Sequence, residues 1–362
     1  MNVLLPVSLL ALLLAFLNSQ GRLKYGLEIA FGIVTIAAAL RGNYGNDYAN
    51  YVEMYNSACK GGFSLSDFLS QHRKSPAWFL LNRACAHLSF EWVIALSSVI
   101  QNAAIYVVIK KCVPEKMRFV SLAIYLFCPF FYVLSMSMIR QSIAMAFFLL
   151  SLHYAIRKRK LISVALMFVA WTFHNSALVM VPVILFFLFV TIKHEILWVL
   201  GLYGVFALTL LSPALQKSLI DILTSSDEFG EYDYYKNKSY GIDFTIGMGF
   251  VFAYFVPFCI YMYYLLDERC SQTLKKLTVV ASMTALTFAL GMAMPWMVRV
   301  AYYFLLTFVI TMPWVYQRME QKELRYGAYG SFFAMMAYFY WDFFHNLTYT
   351  QHFLVYHSLF ES

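Results

Sequence analysis

Three arginines, Arg41, Arg140 and Arg299, stand at the ends of long apolar runs. A charge at bilayer depth costs about 2.5–3.5 kcal/mol on insertion scales, so a guanidinium kept there ordinarily faces a water-filled cavity. The guanidinium fork is planar, always charged, and matches the oxygens of a phosphate. His174, in the run WTFHNSA, offers a side chain that takes up protons in a useful range. Asp47, six residues beyond Arg41, offers a carboxylate that could accept a proton from a hydroxyl. Together these five suit a phosphorylated substrate attacked by a hydroxyl. Each also has a plainer reading. The arginines could snorkel to the interface, His174 could bond a neighbouring carbonyl, and Asp47 could be a turn residue beside Gly45 and Asn46.

Tyrosines form the second signal. Tyr44, Tyr48, Tyr51 and Tyr55 recur at helical spacing, which predicts a short helix with one tyrosine-lined face. A later segment adds Phe229, Tyr232, Tyr234, Tyr235 and Tyr240 among acidic residues, and Tyr302 and Tyr303 follow Arg299 on its helical face. A tyrosine presents an apolar ring and a hydroxyl, which suits a sugar, but also an interfacial belt.

The elements that must position these residues are membrane helices. The chain is 61% hydrophobic and 13% charged, where soluble domains carry about a quarter charged residues. Apolar runs lie near 3–17, 25–40, 92–109, 119–135, 140–156, 161–173, 177–192, 196–211, 244–266, 277–294, 300–316 and 326–341. They predict an all-α polytopic bundle of about twelve spans forming one integral membrane domain over 1–362. Several runs fall short of the roughly 20 residues a perpendicular span needs. The stretch 76–90, with Arg83 and His87, reads as a re-entrant or interfacial helix.

Orientation follows from the short loops. With Arg22 and Lys24 inside, alternation also puts Lys110, Lys111, Lys116, Arg118, Arg157 to Lys160, Lys193, Arg269, Lys275, Lys276, Arg318, Lys322 and Arg325 inside. Two longer segments, 41–75 and 212–243, then face outward, and so do the five polar residues. The net charge of +8 is thus an encoding of topology and gives no reason to expect nucleic acid.

Other chemistries lack support. The six cysteines show no CxxC spacing and read as small core residues. No P-loop or GxGxxG opens a helix, and no GxSxG or HExxH run occurs. His345, His352 and His357 have no ligand spacing with carboxylates, so no metal is expected.

Four segments in order, RGNYGNDYANY (41–51), SMIRQSIAMAFFLL (137–150), FHNSALVMVP (173–182) and RVAYYF (299–304), resemble the motifs of the EpsG family. That family is grouped with the Wzy-type polymerases of bacterial O-antigen, capsule and exopolysaccharide. The resemblance implies a fold similar to the membrane-embedded glycosyltransferases of the C type and an active site on the periplasmic side of the inner membrane. It implies transfer of a glycan from undecaprenyl pyrophosphate to a hydroxyl of an incoming lipid-linked repeat unit, with no cofactor and no metal. Its partners would be the lipid-linked donor and acceptor, the bilayer, and a chain-length regulator as a further candidate. Matched by position, Arg140 and Arg299, with Arg41, would hold the pyrophosphate. His174 or Asp47 would take the acceptor's proton, His174 being the preferred base. Tyr48, Tyr51, Tyr302, Tyr303, Tyr235 and Tyr240 would contact the sugars. The stretch WDFFHNLTYTQHFLVYHSLFES departs from the family's ending and receives no role. A flippase would want similar residues spread across membrane depth. An O-antigen ligase or an O-acyltransferase also remains open, and a ligase would use nearly the same chemistry.

Overall fold

The computed structural model describes residues 3–60, 75–211, 248–293, 297–345 and 351–359. The segment 212–243, expected to face outward and carrying Tyr235 and Tyr240, lies outside the described residues, as does 61–74. The architecture is all-α, apart from one two-stranded pairing. In chain order the helices are α1 (Leu4–Ser19), α2 (Gly26–Ala39), α3 (Tyr48–Lys60), α4 (Pro76–Ala84), α5 (Phe90–Cys112), α6 (Arg118–Phe127), α7 (Tyr132–Ser135), α8 (Ile139–Ile156) and α9 (Lys160–Phe173). There follow a 3-10 turn (Asn175–Met180), α10 (Val181–Phe189), α11 (Glu195–Leu211), α12 (Val256–Leu266), α13 (Gln272–Ala293), α14 (Met297–Leu306), α15 (Phe308–Arg318) and α16 (Lys322–His345). Strands β1 (Arg41–Gly42) and β2 (His357–Ser358) pair antiparallel.

Among the described residues three helices are long and apolar enough to cross a membrane: α5, α8 and the Gln272–Gly291 part of α13. The pair α14 and α15, bent by 44°, makes a fourth. Six further apolar helices have 10–17 residues. At 1.5 Å per residue a 14-residue helix reaches only about 21 Å, short of a hydrocarbon core of about 30 Å. The run 119–135 is not one helix. Pro129 has no N–H to donate and drives Cys128 to extended backbone (ψ 109°), so α6 stops and the short α7 follows. Helix α4 has nine residues, too few to span, with Pro76 at its first turn.

The chain forms two compact units, Met1–Ile184 with Met312–Ser362, and Leu185–Thr311. In the first, hydrogen bonds fix the register of the helices. Lys110 Nζ lies 2.7 Å from Glu28 Oε1. Thirteen residues on from Glu28, Arg41 donates from Nη1 to Ser98 Oγ at 2.9 Å, twelve residues back from Lys110. Helices α2 and α5 are therefore antiparallel. Cys112 Sγ sits 2.8 Å from His153 Nδ1, so α5 and α8 end together and run parallel. Ser151 and Ser163 exchange hydroxyl-to-carbonyl hydrogen bonds of 2.7 and 2.9 Å, locking α8 to the antiparallel α9. Glu91 in the first turn of α5 and Lys110 and Lys111 in its last complement the helix dipole.

These contacts sort the first unit by charge. Arg22 and Lys24 precede α2, Lys110 and Lys111 close α5, and Arg157 to Arg159 make the turn between α8 and α9, all at one end. The second unit repeats the pattern. Lys275 Nζ bonds Glu195 Oε1 at 2.8 Å, and Gln272 exchanges hydrogen bonds with the backbone of Ile192, which gathers the basic turns at one end of α13. Arg299 lies past the other end of that 22-residue helix, about 33 Å along it. Close packing of α13 on α14 depends on Gly291, where a Cβ would stand 2.7 Å from Val298 Cγ2.

Candidate active site

Four of the five candidate residues lie at the end of the first unit away from its basic turns. Arg140 stands eleven residues before Ser151 on α8, and His174 eleven after Ser163 at the close of α9. The two therefore lie level, about 16 Å from the serine pair. Arg140 is thirteen residues before His153 and Ser98 fourteen before Cys112, so the Arg41–Ser98 contact shares that level. Asp47 joins them through its backbone N–H, which donates to Ser137 Oγ at 3.2 Å, just ahead of α8.

Arg140 is half-buried. Its Nη1 donates to Ser75 Oγ at 3.2 Å, and its guanidinium carbon lies 5.9 Å from the centre of the Tyr51 ring, a cation–π distance. Its Nε is buried and makes no hydrogen bond. Tyr51 is held in turn by Trp78, edge to face at 5.1 Å. Burial pushes the Tyr51 phenol up, against the pull of Arg140, while Asp47 adds to the upward push. The phenol thus stays a neutral donor beside both charged groups.

Arg41 is only 2% exposed. Its Nη1 also donates to Ala38 O, and its Nε makes no hydrogen bond. Tyr44, Tyr48, Tyr132 and Tyr356 lie within electrostatic reach of the guanidinium. Neither Arg41 nor Arg140 pairs with a carboxylate among the described residues. The loop that carries Arg41 turns at Gly45, whose φ of +95° suits glycine and where a Cβ would stand 2.7 Å from that of Ser137.

A strap formed by residues 351–359 closes over this loop. Beyond the β1–β2 pairing, Gly45 N–H donates to His352 O at 3.0 Å and Leu359 N–H to Leu40 O at 2.9 Å. Tyr44 donates to Phe353 O at 3.2 Å, and Tyr356 to Ala37 O at 2.6 Å. The sequence stretch that received no role therefore builds the surroundings of Arg41.

His174 is half-buried and extended (φ −156°, ψ 128°), and it caps the 3-10 turn that follows. Its Nδ1 accepts from Ser176 N–H at 3.2 Å and lies 2.7 Å from Ser176 Oγ. Of the expected tyrosine face, Tyr48, Tyr51 and Tyr55 lie on α3, whereas Tyr44 falls in the loop before it. That face packs inward: Tyr48 and Tyr55 meet Phe90, and the Tyr55 hydroxyl sits 3.0 Å from Cys85 O. Helix α4 is tied to α3 by Arg83, which donates to the terminal carbonyls of Ala58 and Cys59 at 3.0 and 3.2 Å. In the second unit Arg299 is half-buried, Tyr302 is 7% exposed and Tyr303 has no exposed surface.

The sequence model of the EpsG family matches residues 24–358 of the 362. The chain belongs to the EpsG family. It is a membrane protein, and the match ends on Ser358, so the family's extent includes the strap that pairs with Arg41. Comparison with curated proteins and with solved structures found no match. Within this EpsG chain, sequence reasoning missed Ser75, Ser137 and Ser176, whose small side chains carry no pattern of their own. It also missed the strap, whose residues are far from their partners in sequence. Among the described residues no group of three or more His, Cys, Asp or Glu could hold a metal ion.

Proposed function

We propose that this chain is a polysaccharide polymerase of the inner membrane. It transfers a glycan from undecaprenyl pyrophosphate to a hydroxyl of an incoming lipid-linked repeat unit at the periplasmic face. Membership of the EpsG family supports this reading. The observation that carries it is a pair of guanidiniums, on Arg41 and Arg140, with no carboxylate partner among the described residues, at the end opposite the basic turns. A buried charge left without an opposite charge is costly, and an arriving pyrophosphate would offset that cost. Preorganised positive groups in a water-poor site are commonly the largest catalytic term.

In this reading Arg140, with Arg41, holds the pyrophosphate as negative charge gathers on it, and for Arg299 the same role rests on the family motif alone. The anomeric carbon is attacked with inversion, and the activated donor already carries its leaving group, so no cofactor or metal is assigned. Tyr48, Tyr51, Tyr302, Tyr303, Tyr235 and Tyr240 keep the sugar-contacting role that the family resemblance implies. About twelve spans, a resemblance to the membrane glycosyltransferases of the C type and a chain-length regulator as partner belong to the same proposal.

The test is product analysis with the purified protein in liposomes supplied with lipid-linked repeat units. A ladder of repeat lengths supports a polymerase. A single transferred chain on another acceptor means a ligase, and translocation without new bonds means a flippase. Either of these rejects the polymerase.

A further inference from the structure

We infer that His174 is a hydrogen-bond donor to the departing pyrophosphate and that Asp47 is the base; this rests on the polymerase reading above. The geometry of the His174 ring carries it. A neutral imidazole has one nitrogen that donates and one that accepts. A backbone N–H only donates, and that of Ser176 points at Nδ1 from 3.2 Å. Nδ1 is therefore the accepting nitrogen, and the ring hydrogen sits on Nε2. The Ser176 hydroxyl, 2.7 Å from the same nitrogen, can donate to it as well.

A base role for His174 runs against this arrangement at both ends of the step. To accept a proton on Nε2, the ring must first carry its hydrogen on Nδ1, facing the Ser176 N–H donor to donor. The cation formed afterwards would carry a hydrogen there too. In both states Nδ1–H could turn to Ser176 Oγ at 2.7 Å, but the backbone hydrogen bond is lost and the Ser176 N–H faces another donor. The Nε2–H form suffers neither penalty. Ser176 is thus a positioning residue that selects the form of the ring, and the preference for His174 as base is reversed.

The step then balances without a proton passing through the imidazole. The acceptor oxygen bonds to the anomeric carbon and gives its proton to the Asp47 carboxylate. The bond from that carbon to the pyrophosphate oxygen breaks, and its electron pair leaves with the lipid pyrophosphate. Nε2–H of His174 donates to that anion from the level of Arg140. Asp47, whose backbone N–H is held beside the start of α8 by Ser137, is the carboxylate among the five candidate residues.

Nitrogen NMR of the ¹⁵N-histidine-labelled protein, with the His174→Gln variant assigning the signal, reads the ring directly and needs no activity. Hydrogen on Nε2 is expected; hydrogen on Nδ1 overturns the inference and leaves the polymerase reading standing. The rate of ladder formation reads the role. Loss of one preorganised donor costs about 10²–10³ in rate, so His174→Ala should fall that far. His174→Gln, whose amide keeps an N–H near the Nε2 position, should recover at least tenfold over Ala, and His174→Glu should not. Recovery by Glu with none by Gln, in variants that insert and melt like wild type, marks His174 as the base and overturns the inference. If the wild-type protein builds no ladder, the polymerase reading falls, and the NMR result still decides the ring.

Discussion

Ser151 and Ser163 each donate a hydroxyl hydrogen to the other's backbone carbonyl, at 2.7 and 2.9 Å, across the α8–α9 interface. Both are fully buried, and the pair fixes how far α9 slides along α8. Arg140 and His174 sit eleven residues from it on their respective helices. Replacing both serines with valine removes the register lock without leaving a buried hydroxyl unsatisfied. The double variant is expected to fold, since each backbone carbonyl still accepts its own helical N–H from four residues on once the hydroxyl is gone. Polymer formation should nonetheless fall by tenfold or more as the two residues lose alignment. Wild-type ladder rates from a correctly inserted Ser151→Val, Ser163→Val protein would reject the register argument.

Arg140 has one guanidinium nitrogen on Ser75 and an Nε without a hydrogen bond. Lysine keeps the charge and loses the fork, so Arg140→Lys is expected to retain a small part of the activity. Arg140→Ala should lose about 10²–10³, the scale for one preorganised donor to developing negative charge. Initial rates of ladder growth at saturating donor separate the two. Equal rates for Lys and wild type would show that no bidentate contact is made.

The Tyr356 hydroxyl reaches Ala37 O at 2.6 Å and belongs to the aromatic enclosure of Arg41. Tyr356→Phe deletes the hydrogen bond and leaves a carbonyl to find another partner, an expected loss of about 1–3 kcal/mol. Deleting 351–362 removes the whole strap while leaving α16 to insert. Membrane levels near wild type with polymer abolished are the expected outcome, read by fractionation and by product gels. A strapless protein that polymerises normally would deny the segment any part in holding Arg41.

Orientation is open to direct labelling in a background with the six native cysteines replaced. Lys24→Cys and Lys158→Cys lie in the exposed basic turns, and Asn46→Cys lies exposed beside the site. A membrane-impermeant maleimide added to intact spheroplasts should modify position 46 and spare 24 and 158 until the membrane is opened. The reverse pattern would turn the site towards the cytoplasm and remove the lipid-linked donor from its reach.

The helical class was legible in the sequence, and the charged candidates stood out there because charge in an apolar chain is expensive and therefore conspicuous; the break in the run 119–135 was not read. Glu28 and Lys110 illustrate the next level: each reads as an ordinary span-end charge, and only their contact reveals that α2 and α5 are antiparallel. The tyrosines at 48, 51 and 55 announced a helix face correctly. Periodicity marks which face is apolar without saying what covers it, and here the cover is Phe90 and Trp78. Ser137 and Ser176 were silent for a different reason. Ser137 Oγ accepts from the Asp47 N–H and Ser176 meets His174 Nδ1 through its N–H and its hydroxyl, and a lone serine in an apolar run has many uses. The strap was illegible because its contacts close over separations of some 309 residues, where no local spacing rule applies.

That separation has a consequence for biogenesis. The loop bearing Arg41 leaves the ribosome early, whereas Phe353, which accepts from Tyr44, is synthesised 309 residues later. At about 5–20 residues per second the wait is roughly 15–60 s. Throughout it the guanidinium has α2 and α5 for company and lacks its clasp, so a half-made chain already lodged in the bilayer would hold its sugar-joining machinery unfastened.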